Sequence, residues 1–214
     1  MYGDNGYFLP GKKENGHYRI TKNALQHDGG GEYPRSKVET LTRWRQLGIK
    51  IKPWRKNGNQ IVVCPPGRLF GATFGFDADE WLRVTLKTLR KYTDRPLVVR
   101  AKMSWSDVKP LYSMFVTDNT TRALPGSLAA DIEGAWALVT KSSNSAVEAA
   151  IAGVPVFCTD SCGASAVGLS DLREIESPRM DGNREKWAAI LASNQWSLKE
   201  IREGLAWKML NEAA

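Results

Sequence analysis

The sequence is short of cysteine and histidine. Its 214 residues include three cysteines, Cys64, Cys158 and Cys162, and two histidines, His17 and His27. A small, odd cysteine count argues against a disulfide framework. Cys158 and Cys162 stand four apart with no second pair or nearby histidine, so they do not make a zinc site, and buried thiols are expected instead. Both histidines lie in the loop-rich start and no G-x-S-x-G elbow occurs, which disfavours a serine hydrolase. GxxxxGK[ST], HExxH and a GxGxxG after a strand are also missing. Their absence lowers P-loop kinases, zinc proteases and dinucleotide oxidoreductases together. No apolar run reaches bilayer length, and the opening MYGDNGYF has neither a basic n-region nor an apolar h-region. A soluble, cytoplasmic protein with no membrane partner is expected.

What is present is unevenly distributed. Residues 1–60 carry 12 Lys and Arg against 5 Asp and Glu, whereas residues 61–214 carry 18 of each, so the net charge of +7 lies wholly in the first segment. A one-sided basic surface faces either solvent or a polyanion. The residues that would meet a nucleic acid are Arg43, Arg45, Lys52, Arg55 and Lys56, with Trp44 and Trp54 as the rings able to stack on bases. The other tryptophans are scattered, as packing residues are.

Along the chain, residues 1–35 read as loop with one strand near Tyr18–Thr21, followed by a helix over Ser36–Leu47 and a strand at Ile49–Trp54. Ile61–Cys64 is a buried strand ended by Pro65, Pro66 and Gly67. Asp77 or Asp79 caps a helix running to about Tyr92, with Trp81, Leu82, Leu86 and Leu89 on one face. Strands follow at Leu97–Arg100 and Met114–Thr117, then a helix at Ser127–Trp136. Ala137–Phe157 is a complete strand–turn–helix–strand unit. Two helices, Asn183–Ser193 and Ser197–Leu210, close the chain, the second opening with the Ser197–Glu200 capping box. The alternation predicts an α/β fold, a Rossmann-like parallel sheet covered by helices over residues 61–214, preceded by a short irregular basic segment, residues 1–60.

In such sheets ligands bind beyond the carboxyl ends of the strands. The predicted rim holds Arg68, Arg100, Lys102, the Lys141, Ser142, Ser143 and Asn144 turn, and Thr159 and Asp160. Cations and helix-start donors at one edge suit an anion such as a nucleotide diphosphate. Glu148, one turn into the helix, is placed to accept ribose hydroxyls. Ser and Asn are also ordinary helix caps, and the same turn is explained by capping alone.

The run Lys141–Val156, KSSNSAVEAAIAGVPV, resembles the helix-start motif of GT-B glycosyltransferases and of UDP-GlcNAc 2-epimerases. A narrower resemblance, to glycosyltransferase-like proteins of tailed phages and prophages, includes DNGYF (Asp4–Phe8), HYRITKN (His17–Asn23), TDRPLVVRAK (Thr93–Lys102) and QWSLKEIREGLAW (Gln195–Trp207). It implies a GT-B C-terminal-type domain with a nucleotide-sugar site at Arg100, Lys102, Ser143, Asn144, Ser145 and Glu148. Members of that group usually carry more chain before the DNGYF segment, so three readings stand side by side: residues 1–60 supply the acceptor side in reduced form, another chain supplies it, or catalysis has been lost.

The expected activity is transfer from a nucleotide-diphosphate sugar, with no cofactor or metal required. Asp4 or His17 would act as base, and the acceptor would be a hydroxymethylated base in phage DNA. The alternatives are a non-catalytic nucleotide- or nucleic-acid-binding protein, a partner subunit or member of a homo-oligomer, and a nucleotide-sugar epimerase.

Overall fold

The computed structural model describes residues 2–9, 16–22, 26–32, 35–100, 119–122 and 127–212. In chain order its strands are β1 (Tyr2–Asn5), β2 (His17–Thr21), β3 (Gln60–Cys64), β4 (Leu97–Val99), β5 (Thr120–Arg122), β6 (Ala135–Thr140), β7 (Val156–Cys158) and β8 (Gln195–Ser197). The helices are α1 (Lys37–Gln46), α2 (Arg68–Phe74), α3 (Ala78–Leu89), α4 (Leu128–Glu133), α5 (Ser145–Ile151), α6 (Arg184–Ser193), α7 (Leu198–Arg202) and α8 (Leu205–Glu212). They form two compact units, Ile51–Gly182 and Met1–Lys50 with Asn183–Ala214.

The larger unit is built on a five-stranded sheet of order β5-β4-β3-β6-β7, in which every neighbouring pair is parallel. Its middle strands are continuous apolar runs because both faces are covered: Ile61, Val62, Val63, Leu138 and Val139 are fully buried. Alternate residues Ile61, Val63, Leu97, Val99, Ala137 and Val139 share a core with Leu82, Leu86 and Leu89 of α3. Those leucines recur at helical spacing, and burying each contributes about 2 kcal/mol. Asp77 starts the helix by accepting the Asp79 and Glu80 N–H groups.

The fold is the predicted α/β class, with local differences. Ile49–Trp54 is not a strand: Lys52 N–H bonds to the Ile151 carbonyl at 2.9 Å and Arg55 N–H to the Gly153 carbonyl at 2.7 Å. That clip is possible because residue 153 is glycine. Its φ is +82°, and a Cβ there would lie 2.0 Å from the Pro53 oxygen. A helix, α2, follows Gly67, ahead of the helix expected from Asp77. Leu69 and Phe74 are exposed on it, so no apolar periodicity marks it. The third expected strand, Met114–Thr117, lies outside the described residues; β5 occupies the next position in the sheet.

The smaller unit holds an antiparallel sheet of order β1-β2-β8, with Asp4 opposite Arg19 and Tyr18 opposite Trp196. Helices α1 and α6 pack together. Buried Gln195 completes the sheet edge, accepting the Phe8 N–H at 2.9 Å and donating to the Phe8 carbonyl at 3.2 Å. Arg43 reaches Glu200 at 2.5 Å and lies over the Trp196 ring. Both capping boxes, Ser36–Glu39 and Ser197–Glu200, are formed. The final helix, expected to be continuous to Leu210, divides at Gly204, where φ is +77°.

Candidate functional site

In the parallel sheet, β3 comes first along the chain; β4 and β5 add to one side of it, then β6 and β7 to the other. The direction of winding therefore reverses between β3 and β6. A crevice opens at the carboxyl ends of two such strands, which is where sheets of this kind hold ligands. The Thr140 hydroxyl ties the edges together, donating to the Cys64 carbonyl at 2.7 Å. It also accepts the Ser143 N–H at 3.4 Å, so the strand end positions the turn that follows. The Ser143 hydroxyl accepts the Ser145 N–H at 3.3 Å, and the half-buried Lys141–Asn144 turn enters α5 without a side-chain cap from Asn144.

Each cation described at this rim faces a carboxylate. Arg68 meets Asp79 at 2.9 Å, Lys141 meets Asp160 at 2.9 Å, and Arg100 is paired with Asp131. Lys141 also lies 4.7 Å from the centre of the Phe76 ring. Its ammonium, bonded to Asp160, is the main cause holding that carboxyl below the ordinary range. The pairs differ in burial. The Arg100 and Asp131 side chains are 18% and 15% exposed; Lys141 is also 18% exposed, but its partner Asp160 is 56% exposed, and Arg68 and Asp79 are 44% and 34% exposed. Exposed ion pairs contribute about 0–1 kcal/mol and can exchange partners at little cost. Breaking a buried one strands a charge and costs about 3 kcal/mol or more. Arg68 and Lys141 are thus the cations able to turn toward an incoming anion, and Arg100 is bound into the scaffold.

The crevice floor is not a nucleophile. Burial pushes the Cys64 thiol up to about 11, although a hydrogen bond with Ser145 and the charge of Arg100 work the other way. Glu148 is exposed on α5, yet neighbouring atoms displace enough water to raise its carboxyl above the ordinary value. The structure therefore groups Arg68, Arg100, Lys141, Ser142, Ser143, Asn144, Ser145 and Glu148 in one unit, around the ends of β3, β4 and β6 and the start of α5. Lys102 lies outside the described residues. Asp79, Asp131 and Thr140 were not singled out as site residues from sequence. Each acts through a contact with a residue at least eleven positions away, and no local pattern encodes that.

The remaining sequence-selected residues lie elsewhere. Asp4 and His17 belong to the smaller unit. Asp4 is held by buried Arg19 at 2.6 Å, and Arg19 covers the Tyr7 ring, whose hydroxyl receives the His27 N–H at 2.7 Å. Burial, with Arg19 adding to it and Asp28 opposing, lowers His27 to about 4. Among the residues proposed for nucleic acid, Trp44 is buried against Phe8, Arg43 holds Glu200, and Arg55 donates to the Ile132 and Glu133 carbonyls that end α4. Trp54 is half-buried, while Arg45, Lys52 and Lys56 are exposed. No cluster of potential metal ligands occurs among the described residues, and no described helix is long and apolar enough to cross a membrane.

This is the Rossmann-like architecture of a GT-B-type domain. Two solved bacterial structures share the fold, both from Thermosulfurimonas dismutans KpsC. One, described as a beta Kdo 2,7 transferase, aligns with a TM-score of 0.53 at 15% identity over 99% of this chain and 77% of its own. The other, described as a beta Kdo 2,4 transferase, gives 0.50 at 12% identity over 85% of this chain and 66% of its own. No family model and no curated protein sequence matches.

Proposed function

We propose that the chain is a glycosyltransferase that binds a nucleotide sugar across the crevice between β3 and β6. The observation carrying this reading is the winding reversal at Cys64 and Thr140, with the Lys141–Asn144 turn and two exchangeable cations beside it. The fold shared with two sugar transferases supports it. A nucleoside diphosphate is the fitting leaving group, since Arg68 and Lys141 offer one cation to each phosphate. Both would leave their carboxylates to meet the diphosphate as it binds, and they would then stabilise electrostatically the negative charge that develops on the departing phosphate. Glu148 is proposed to take the ribose hydroxyls. Asp4 and His17 are the proposed bases for the acceptor hydroxyl, with Arg19 keeping the Asp4 carboxylate oriented.

The acceptor proposed from sequence is a hydroxymethylated base in phage DNA, supported by the charge excess of residues 1–60. Arg45, Lys52 and Lys56 are the exposed side chains fitted to it, since Arg43, Trp44 and Arg55 are engaged within the protein. Retention on DNA at low salt, falling as salt rises, is the expected result. Loss of retention even at low salt would remove DNA as acceptor. An epimerase reading needs both an acid and a base at the crevice, where Asp79, Asp131 and Asp160 each face a cation and Glu148 is the further carboxyl.

The direct test is a thermal-shift screen of nucleoside-monophosphate and nucleoside-diphosphate sugars. A ligand confined to the folded state at 100 times its Kd adds about 2.7 kcal/mol of stability. A diphosphate sugar should raise the midpoint most. No shift with any donor would overturn the assignment.

A further inference from the structure

We propose that Cys158 and Cys162 form a reversible thiol–disulfide site at the carboxyl end of β7. Their sulfur atoms lie 2.9 Å apart as free thiols, and both residues are buried. Cys158 ends the strand, and the chain turns back so that Cys162 meets it four residues later. The turn is well anchored: Cys158 N–H bonds to the Leu169 carbonyl at 2.7 Å, and Thr159 N–H to the Thr140 carbonyl at 3.0 Å. Beyond it, Cys162 N–H bonds to the Ser165 hydroxyl at 2.9 Å, and Ala164 N–H points to the Cys162 sulfur at 3.4 Å.

These contacts make the thiols unequal. The hydrogen bond with Cys158 lowers Cys162, and the Ala164 N–H and Ser165 add to that against the opposing effect of burial. Cys158 is raised, by the same sulfur–sulfur hydrogen bond and by burial. With the Ala164 N–H directed at its sulfur, Cys162 is the side better able to carry the thiolate, so it is the attacking sulfur and Cys158 the resolving one.

The oxidant is a hydroperoxide, small enough to reach a buried pair that bulky disulfides would not. The Cys162 thiolate attacks one peroxide oxygen, and the O–O bond breaks. Cys162 becomes a sulfenic acid, and the departing hydroxide takes up the proton the thiol released, giving water. The Cys158 sulfur then attacks the Cys162 sulfur, an S–S bond forms, and the sulfenic hydroxyl leaves with the proton of the Cys158 thiol as a second water. Two thiols and one hydrogen peroxide thus yield one disulfide and two waters, with two electrons passing from sulfur to oxygen. A dithiol reductant reverses the step. The closed ring encloses Asp160, the partner of Lys141, so oxidation fixes the loop beside the crevice. Disulfide formation itself does not depend on what the crevice binds.

The test exposes the reduced full chain to dilute hydrogen peroxide and reads intact mass, followed by alkylation mapping after unfolding. The expected product has lost two hydrogens. Cys158 and Cys162 are protected from iodoacetamide until dithiothreitol is added, and Cys64 stays alkylatable throughout. In Cys158→Ser the resolving sulfur is gone, so Cys162 accumulates as a sulfenic acid trapped by dimedone; Cys162→Ser gives neither product. Wild-type protein in which both thiols still alkylate after peroxide overturns the proposal. So does a disulfide that joins two chains or involves Cys64, and neither readout depends on the variants folding.

Discussion

The two units use the same polar residue types for different ends. In the parallel-sheet unit, apolar runs such as Ile61–Val63 and Leu138–Val139 build the core, and charged side chains collect at one edge as ion pairs of graded exposure. In the antiparallel unit polar side chains are part of the frame. Gln195 serves as a sheet edge for Phe8, Arg43 ties α1 to Glu200 of α7, and Arg19 joins two strands through Asp4. A cation is available to an anionic ligand where its ion pair is exposed enough to exchange partners. By that criterion Arg68 and Lys141 are functional candidates, while Arg43 and Arg100 are structural.

Replacing Arg100 with alanine should give the largest loss of stability, because Asp131 is left as a largely buried, uncompensated charge: about 3 kcal/mol by urea denaturation. Equal stability of Arg100→Ala and wild type would place Arg100 with the exchangeable cations. Next, Gln195→Ala should cost about 2 kcal/mol, since a buried N–H and carbonyl of Phe8 lose their partner together. Hydrogen exchange should then accelerate at Phe8 in the antiparallel unit and leave β3 unchanged.

Acid should separate the units further. His27 binds its proton near 6.5 when unfolded but only near 4 when folded, so the stability it supports above 6.5 is lost as pH falls through 4. Glu200 continues the trend. Burial alone would raise it, but Arg43 and the Ser197 groups bring it to about 2, so its contribution, complete above about 4.5, disappears as pH approaches 2. Exchange measured from pH 7 to 3 should show the described residues between 2 and 50 and between 183 and 212 losing protection, and Glu200→Gln should flatten the lower part of that slope. Smallest of all, Lys141→Ala should change stability by less than about 1 kcal/mol, since its partner Asp160 is exposed.

Much of the larger unit is legible in the sequence because its determinants are local. The β-branched run at Ile61, the leucine spacing of α3 and the Ser–Asn turn before α5 each announce themselves within a dozen residues. The antiparallel sheet is less legible. Gln195–Ser197 is too short to show alternation, and its pairing with His17–Arg19 joins opposite ends of the sequence. The candidate site divides the same way. Its cations and hydroxyls, and Asp160 with them, follow from strand ends, but the carboxylates opposite Arg68 and Arg100 do not. Without Asp79 and Asp131 the rim reads as a largely cationic edge. With them it becomes a set of ion pairs, two of which can open.

That opening is measured most directly by titrating a nucleotide sugar into wild type and Lys141→Ala by calorimetry, with the thermal midpoint of each recorded alongside. The account predicts an unchanged midpoint and binding weakened roughly tenfold or more, as expected when a charge-assisted phosphate contact is removed. Equal affinity in the two proteins would contradict it.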